Sequence, residues 1–131
     1  MKALLSNYRQ SPRKVRLVAD MIRGKGVVEA KAALMFAEQK SSEAIEKLLD
    51  SAVANATSQG VSTETLFVKT ISVDKGLVMR RFKPMARGRA AGVRKTSSIV
   101  RLELGARGET VSKKAKTTTP KKKAAAKKAS K

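Results

Sequence analysis

The spacing of apolar side chains changes period once along this chain, near Gly60. Before that point the period is helical. Val15, Val18 and Ile22 recur at helical steps with Met21 beside them, while Arg13, Arg16, Asp20 and Arg23 fall on another face. That pattern predicts an amphipathic first helix. Ser11-Pro12 marks its start, because serine can cap a first turn and proline is tolerated at the first helical position. Gly24 and Gly26 supply the stop, through glycine's access to left-handed backbone angles. A second helix is expected over VVEAKAALMFAEQ (27–39), with Val27, Ala30, Leu34 and Ala37 on one face. A third is expected from Ser42 to Gln59, striped by Ile45, Leu48, Leu49, Ala52, Val53 and Ala56 and ended by Gly60. Its small Ala52, Ala54 and Ala56 would let a neighbour approach closely.

Beyond Gly60 the pattern is that of strands. LFVKTISV (66–73) is rich in β-branched and aromatic types. Leu66 and Val68 share one parity and Ile71 and Val73 the other, so either a bulge separates them or both faces are buried. SSIVRLEL (97–104) alternates cleanly, with Val100, Leu102 and Leu104 together, and reads as the antiparallel partner. KALLSNY (2–8) reads as a short edge strand. The fold expected is α+β: a three-helix core packed on a small antiparallel sheet, with a long protruding β-hairpin over about 66–104. If pairing runs from Leu66 toward Gly88, about 22 residues rise roughly 70 Å at about 3.3 Å each. A domain near 110 residues has a radius of gyration of only about 13 Å. A lone two-stranded ribbon is marginal in water, so such an arm makes sense chiefly inside a partner.

Charge says what partner. The connecting stretch MRRFKPMARGRAAGVRK (79–95) carries seven cations and no acid, within a chain of 30 Lys and Arg against 10 Asp and Glu, net +20. Such an excess attracts polyanions: nucleic acid, an anionic membrane or an acidic protein. Residues 112–131, SKKAKTTTPKKKAAAKKASK, hold nine Lys, no acid and no large apolar side chain. They read as a disordered basic tail, leaving 1–111 as the folded domain. No apolar run is long enough to span a bilayer, and no helix face is apolar enough for a membrane-active cationic helix. The start lacks the pattern of a secretory signal. A cytoplasmic address without membrane insertion is expected. Having neither Cys nor His, the chain lacks disulfides, thiolate nucleophiles and the usual zinc ligands. Its carboxylates are spread along helix surfaces, and Ser11, Ser41, Ser42 and Ser62 fall at expected caps or turns. No enzymatic activity, cofactor or metal is expected.

Several segments together carry a family resemblance. SPRKVRLV (11–18) with IRGK (22–25), SAVANA (51–56), VDKG (73–76), RRFKPMARGRA (80–90) and RKTSSI (94–99) resemble the signatures of the L-twenty-two family of large-subunit ribosomal proteins, over roughly residues 3–104. Lys75 and Leu77 depart from the family's usual acidic residue and proline. Ala91, Gly92 and Val93 replace a common Asp-Arg-Ile, and Ser98 stands where His is frequent. The resemblance implies a structural constituent of the large ribosomal subunit. It would bind large-subunit rRNA, join several rRNA domains during assembly, and line the nascent-peptide exit tunnel with its hairpin tip. The partners implied are that rRNA, neighbouring large-subunit proteins and, transiently, the nascent peptide, with no homo-oligomer.

The residues that would make these contacts follow. Arg80, Arg81, Lys83, Arg94 and Lys95, with Thr96 of the same motif, would face rRNA phosphates, for which arginine forks are well shaped. A solvated basic loop is the plain alternative, but the flanking strands and the motifs favour RNA. Arg87, Gly88, Arg89 and Ala90 are the candidate tunnel-lining tip, Gly88 permitting a turn. The alternative is a merely flexible hairpin end. Phe82, Pro84 and Met85 either wedge against bases or pack across the ribbon. Arg13, Lys14, Arg16, Arg23 and Lys25 form a second patch, which is either rRNA-binding or a solvated helix face. The resemblance favours the first. Asn55 reads as a satisfied structural polar group. With only Tyr8, Phe36, Phe67 and Phe82 as aromatics, stacking platforms are scarce, and recognition by phosphate, ribose and shape is expected. The rival from another class is a DNA-bending architectural protein with a basic β-arm and a histone-like tail. SPRKVRLV and SAVANA have no place in it.

Overall fold

Residues 1–106 are described by the structure, a computed structural model. The expected end of the folded part at 111 and the Lys-rich stretch 112–131 lie outside them. In chain order come β1 (Lys2–Tyr8), α1 (Pro12–Ile22), α2 (Val27–Met35), α3 (Ser42–Thr57), a 3-10 turn (Thr63–Thr65), β2 (Leu66–Pro84), a second 3-10 turn (Ala86–Gly88) and β3 (Ala90–Ala106). The sheet is antiparallel in the order β1-β3-β2. The α+β architecture is therefore as expected, with β1 on an edge and the long hairpin formed by β2 and β3.

One face of the sheet meets the helices. Val68, Ile71 and Val73 of β2 and Val100, Leu102 and Leu104 of β3 point inward, against Val15, Val18, Ala19 and Ile22 of α1 and Ile45, Leu49, Ala52 and Ala56 of α3. The parity conflict in β2 is resolved by a bulge, since the pairing slips between Val68 and Thr70. One extra residue there returns both apolar pairs to the same face. A second slip lies between Lys75 and Val78, where Ser97 donates from Oγ to the Leu77 carbonyl at 2.8 Å. Gly76 lies at this slip, where a Cβ would sit 2.8 Å from Ser97 Oγ and push that hydroxyl aside.

Element ends differ from expectation in ways tertiary contacts explain. Ser11 holds the N-cap position of α1, yet its hydroxyl makes no capping bond. Its carbonyl accepts from Lys14 and Val15 instead. Gly24 is left-handed at φ 77°, as a helix stop requires, but Gly26 at φ −62° starts α2 rather than ending α1. α2 stops at Met35, short of Gln39, and Ala37 is only half-buried. α3 stops at Thr57, with Gly60 left-handed two residues past its cap. Ala52 and Ala56 are buried as expected, while Ala54 is exposed. Asn55 is indeed spent structurally, donating to the Lys2 carbonyl at 3.3 Å.

β2 is an edge strand, and open edges invite unwanted pairing. Here α1 and the turn after it cover the edge. Arg16 donates through Nε and Nη2 to the Val73 carbonyl at 3.1 and 2.9 Å, and Arg23 donates to the Ile71 carbonyl at 3.3 Å. Lower down, Gly24 N donates to Val68 O and Val68 N to Lys25 O.

Candidate nucleic-acid interface

The arm begins where the core ends. Past Val73 on β2, and before Ser97 on β3, no residue is buried, and residues 79–90 are all exposed. The eleven-residue rise from Val73 to Pro84 carries the ribbon roughly 35 Å beyond the last buried layer. Pairing nevertheless continues without a gap from Met79↔Lys95 to Pro84↔Ala90. The backbone is thus satisfied by its own ladder, while the side chains have nothing of this chain to pack on.

Cross-strand partners share a face, so the register sorts the arm's side chains. One face carries Arg80 opposite Arg94, then Phe82 opposite Gly92. The other carries Met79 opposite Lys95, Arg81 opposite Val93 and Lys83 opposite Ala91. Two guanidiniums directly opposite one another repel, and from Lys75 to Leu102 the sequence offers no acid to relieve them. Asp74, at the arm's base, is already held by Arg101 at 2.8 Å. Phe82 does not pack across the ribbon. It faces a glycine and stays 76% exposed, leaving its ring available to a partner.

At the tip Met85 N donates to Arg89 O at 2.8 Å, closing a tight loop. Gly88 turns at φ 68°, as its type allows, and Arg87 also adopts a left-handed φ of 59°. That region is uncommon for a side-chain-bearing residue. Arg87, Gly88, Arg89 and Ala90 all stand exposed at the far end.

The second patch divides. Arg13, Lys14 and Lys25 have no side-chain partner among the described residues, whereas Arg16 and Arg23 are turned onto the β2 edge and Arg23 also pairs with Asp20 at 3.0 Å. Arg16 uses two of its five N–H groups in this way, so its fork is oriented by the protein before any ligand arrives. The fold then joins the two patches. Lys14 and Ser11 at the start of α1 line one open groove together with Lys95, Thr96 and Ser97 of β3, over Leu77 and Met79. Arg9 lines the same groove, and sequence reading missed it. Its only signal was its place just after β1, whose last residue, Tyr8, pairs with Ser98.

The titrating groups with displaced pKa values lie away from the arm. Lys2, bonded to Glu103 at 3.0 Å, holds that carboxyl below the usual range, and Lys47 does the same for Glu43 at 2.8 Å. Burial, then the nearby Glu43, pushes the Tyr8 phenol up. Among the described residues no cluster of carboxylates could hold a metal ion. The arm and the start of α1 expose cations that could meet a large anion, and the described residues bring no catalytic constellation together.

The family described as ribosomal protein L22p/L17e matches residues 3–105. The large ribosomal subunit protein uL22 of Geobacter metallireducens is 52% identical over 104 residues, covering 79% of this chain and 94% of its own. That of Citrifermentans bemidjiense is 52% identical over 103 residues, covering 78% and 93%. That of Syntrophotalea carbinolica is 49% identical over 104 residues, covering 79% and 94%.

Proposed function

The chain belongs to the ribosomal protein L22p/L17e family, and on that premise we propose that its arm and first-helix patch form one continuous rRNA-binding surface whose far end reaches the peptide tunnel. The chain is a structural constituent of the large ribosomal subunit, not an enzyme, and works in the cytoplasm with that subunit. The family match takes in SPRKVRLV and SAVANA, which sets the DNA-bending reading aside.

The observation that carries the rRNA reading is the arm itself. A ribbon with every residue from 79 to 90 exposed, and with no acid between Lys75 and Leu102, has little of its own to hold it straight. Phosphates on both faces would neutralise the opposed Arg80 and Arg94 and the Arg81, Lys83 and Lys95 of the other side. Arg9, Lys14, Lys25 and Thr96 would extend that contact around the base, and Arg13 along α1. Arg16 and Arg23 would contribute their remaining N–H groups. Because one chain then touches RNA along its core and its arm, it would tie separate rRNA segments together during assembly. Arg87, Gly88, Arg89 and Ala90 would be left to line the tunnel and meet the nascent peptide.

The test shortens the arm. Residues 80–94 are replaced by Asn-Gly, which suits a two-residue hairpin turn between Met79 and Lys95. The expected result is an unchanged urea midpoint, at least a tenfold loss of affinity for large-subunit rRNA and a shallower dependence on salt. Full rRNA affinity in the shortened chain would overturn the reading.

A further inference from the structure

The second helix is apolar on both sides. Of its nine residues only Glu29 and Lys31 are polar. Val27, Ala30 and Leu34 face the core, so the helix cannot roll over without emptying it. Its other side leaves Val28 70%, Met35 70% and Phe36 88% exposed, with Ala32 exposed between them. A helix that is apolar all round is ordinarily covered, and exposed apolar patches of this kind mark interaction sites. Phe36 is no loose end: its backbone N–H donates to Ala32 O at 3.3 Å and closes the helix.

Charge indicates what covers it. The stretch 27–65, which holds α2 and α3, has six acids and three lysines, whereas the rest of the described chain has seventeen cations and three acids. Two of those three lysines are tied up, Lys31 to Asp50 at 3.0 Å and Lys47 to Glu43 at 2.8 Å. Glu29, next to Val28 in sequence, and Glu38, two residues past Phe36, have no cationic partner among the described residues. Such a face repels RNA, and it repels a second copy of itself. We propose that the outer face of α2 is a protein-docking site, and that its occupant in the large subunit is a polypeptide segment bearing large apolar side chains flanked by Lys or Arg. This rests on the chain's place in the large subunit, and it assigns the two sides of the molecule to different partners: RNA to the arm and α1, protein to α2.

A photo-reactive benzophenone side chain tests this in purified large subunits containing the full chain. One probe replaces Phe36, and a second, in a separate chain, replaces the arm residue Met85. Position 36 should cross-link to protein, and the sequenced peptide should carry more Lys and Arg than Asp and Glu together with a large apolar residue. Val28→Ser in the same chain should lower that yield at least fivefold. Position 85 should cross-link to rRNA. A cross-link from position 36 to rRNA, to a second copy or to an acidic peptide overturns the docking site, as does none at all while position 85 reacts. Failure of position 85 to reach rRNA counts against the rRNA reading of the arm instead, and leaves position 36 to be judged by its own product.

Discussion

Arg13 and Arg16 sit three residues apart on one helix and have opposite surroundings. Arg16 donates two hydrogen bonds to the Val73 carbonyl, whereas the exposed Arg13 side chain makes no hydrogen bond or ion pair among the described residues. Arg16→Ala should therefore destabilise the fold by about 1.5–3 kcal/mol, the range for hydrogen bonds that involve a charged group. Arg13→Ala should shift stability by less than about 0.5 kcal/mol, as surface changes do, while weakening rRNA binding. Urea unfolding and filter binding of both variants measure this, and a reversed pattern would show the helix patch to be misassigned. Glu103 offers a residue-scale titration. Lys2 depresses its pKa in the folded chain, so the stabilisation is present above the unfolded carboxylate pKa and is lost as pH falls through the folded one. The pair is exposed and its contribution small. Carboxyl NMR should place the Glu103 midpoint below that of an ordinary glutamate, and Lys2→Ala should return it toward the usual value.

At the scale of elements, the hairpin has two halves with different physics. Near the core, β2 and β3 are held by packing as well as by their ladder. Beyond Val73 the ladder stands alone among like charges, and such regions open at little free-energy cost. In the free protein, amides around Met79–Ala90 should exchange quickly, while those at Val100 and Leu102 should match α3 in protection. Equal protection along the whole ribbon would mean that the arm supports itself. The tip is a further separable piece. Arg87 and Arg89 flank Gly88 at the far end, and the arm's other cations lie behind them. Replacing both by Ala should leave large subunits assembled on sucrose gradients and alter ribosome pausing on some nascent sequences, read by ribosome profiling. Defective subunits with unaltered pausing would make these arginines anchors.

At the scale of the whole molecule, charge is segregated. The arm, α1 and the groove between them are basic, and α2 with α3 is acidic on balance. Each phosphate neutralised releases counterions, so six to ten contacts imply roughly a thousandfold or greater loss of affinity between 50 and 200 mM salt. Titrating rRNA affinity of the full chain against salt should show that steepness, and a flat response would count against phosphate binding by the arm and α1. The same segregation lets one side of the molecule be buried in RNA while the other remains open to protein.

The sequence by itself determined the periods and therefore the elements: Val15, Val18 and Ile22 for α1, the stripe of α3, and the alternation of β3. The parity of Leu66, Val68, Ile71 and Val73 exposed a conflict, because side-chain parity in a strand is a purely local rule, but only the pairing with β3 decided for a bulge over burial on both faces. The family signatures, being contiguous, were equally legible. Local rules could not say which cations on and just after α1 are spent on the β2 edge. Arg16 and Arg23 point at carbonyls 57 and 48 residues away, and no local pattern foretells either contact. The same holds for Arg9, which joins Lys14, Lys95 and Thr96 only because β1 pairs with β3. It holds too for the outer face of α2, whose Val28, Met35 and Phe36 look like core residues until packing covers the other side first. Periodicity reports which residues can share a face. Only tertiary packing decides which of two apolar faces the core takes, and which charges are left for a partner.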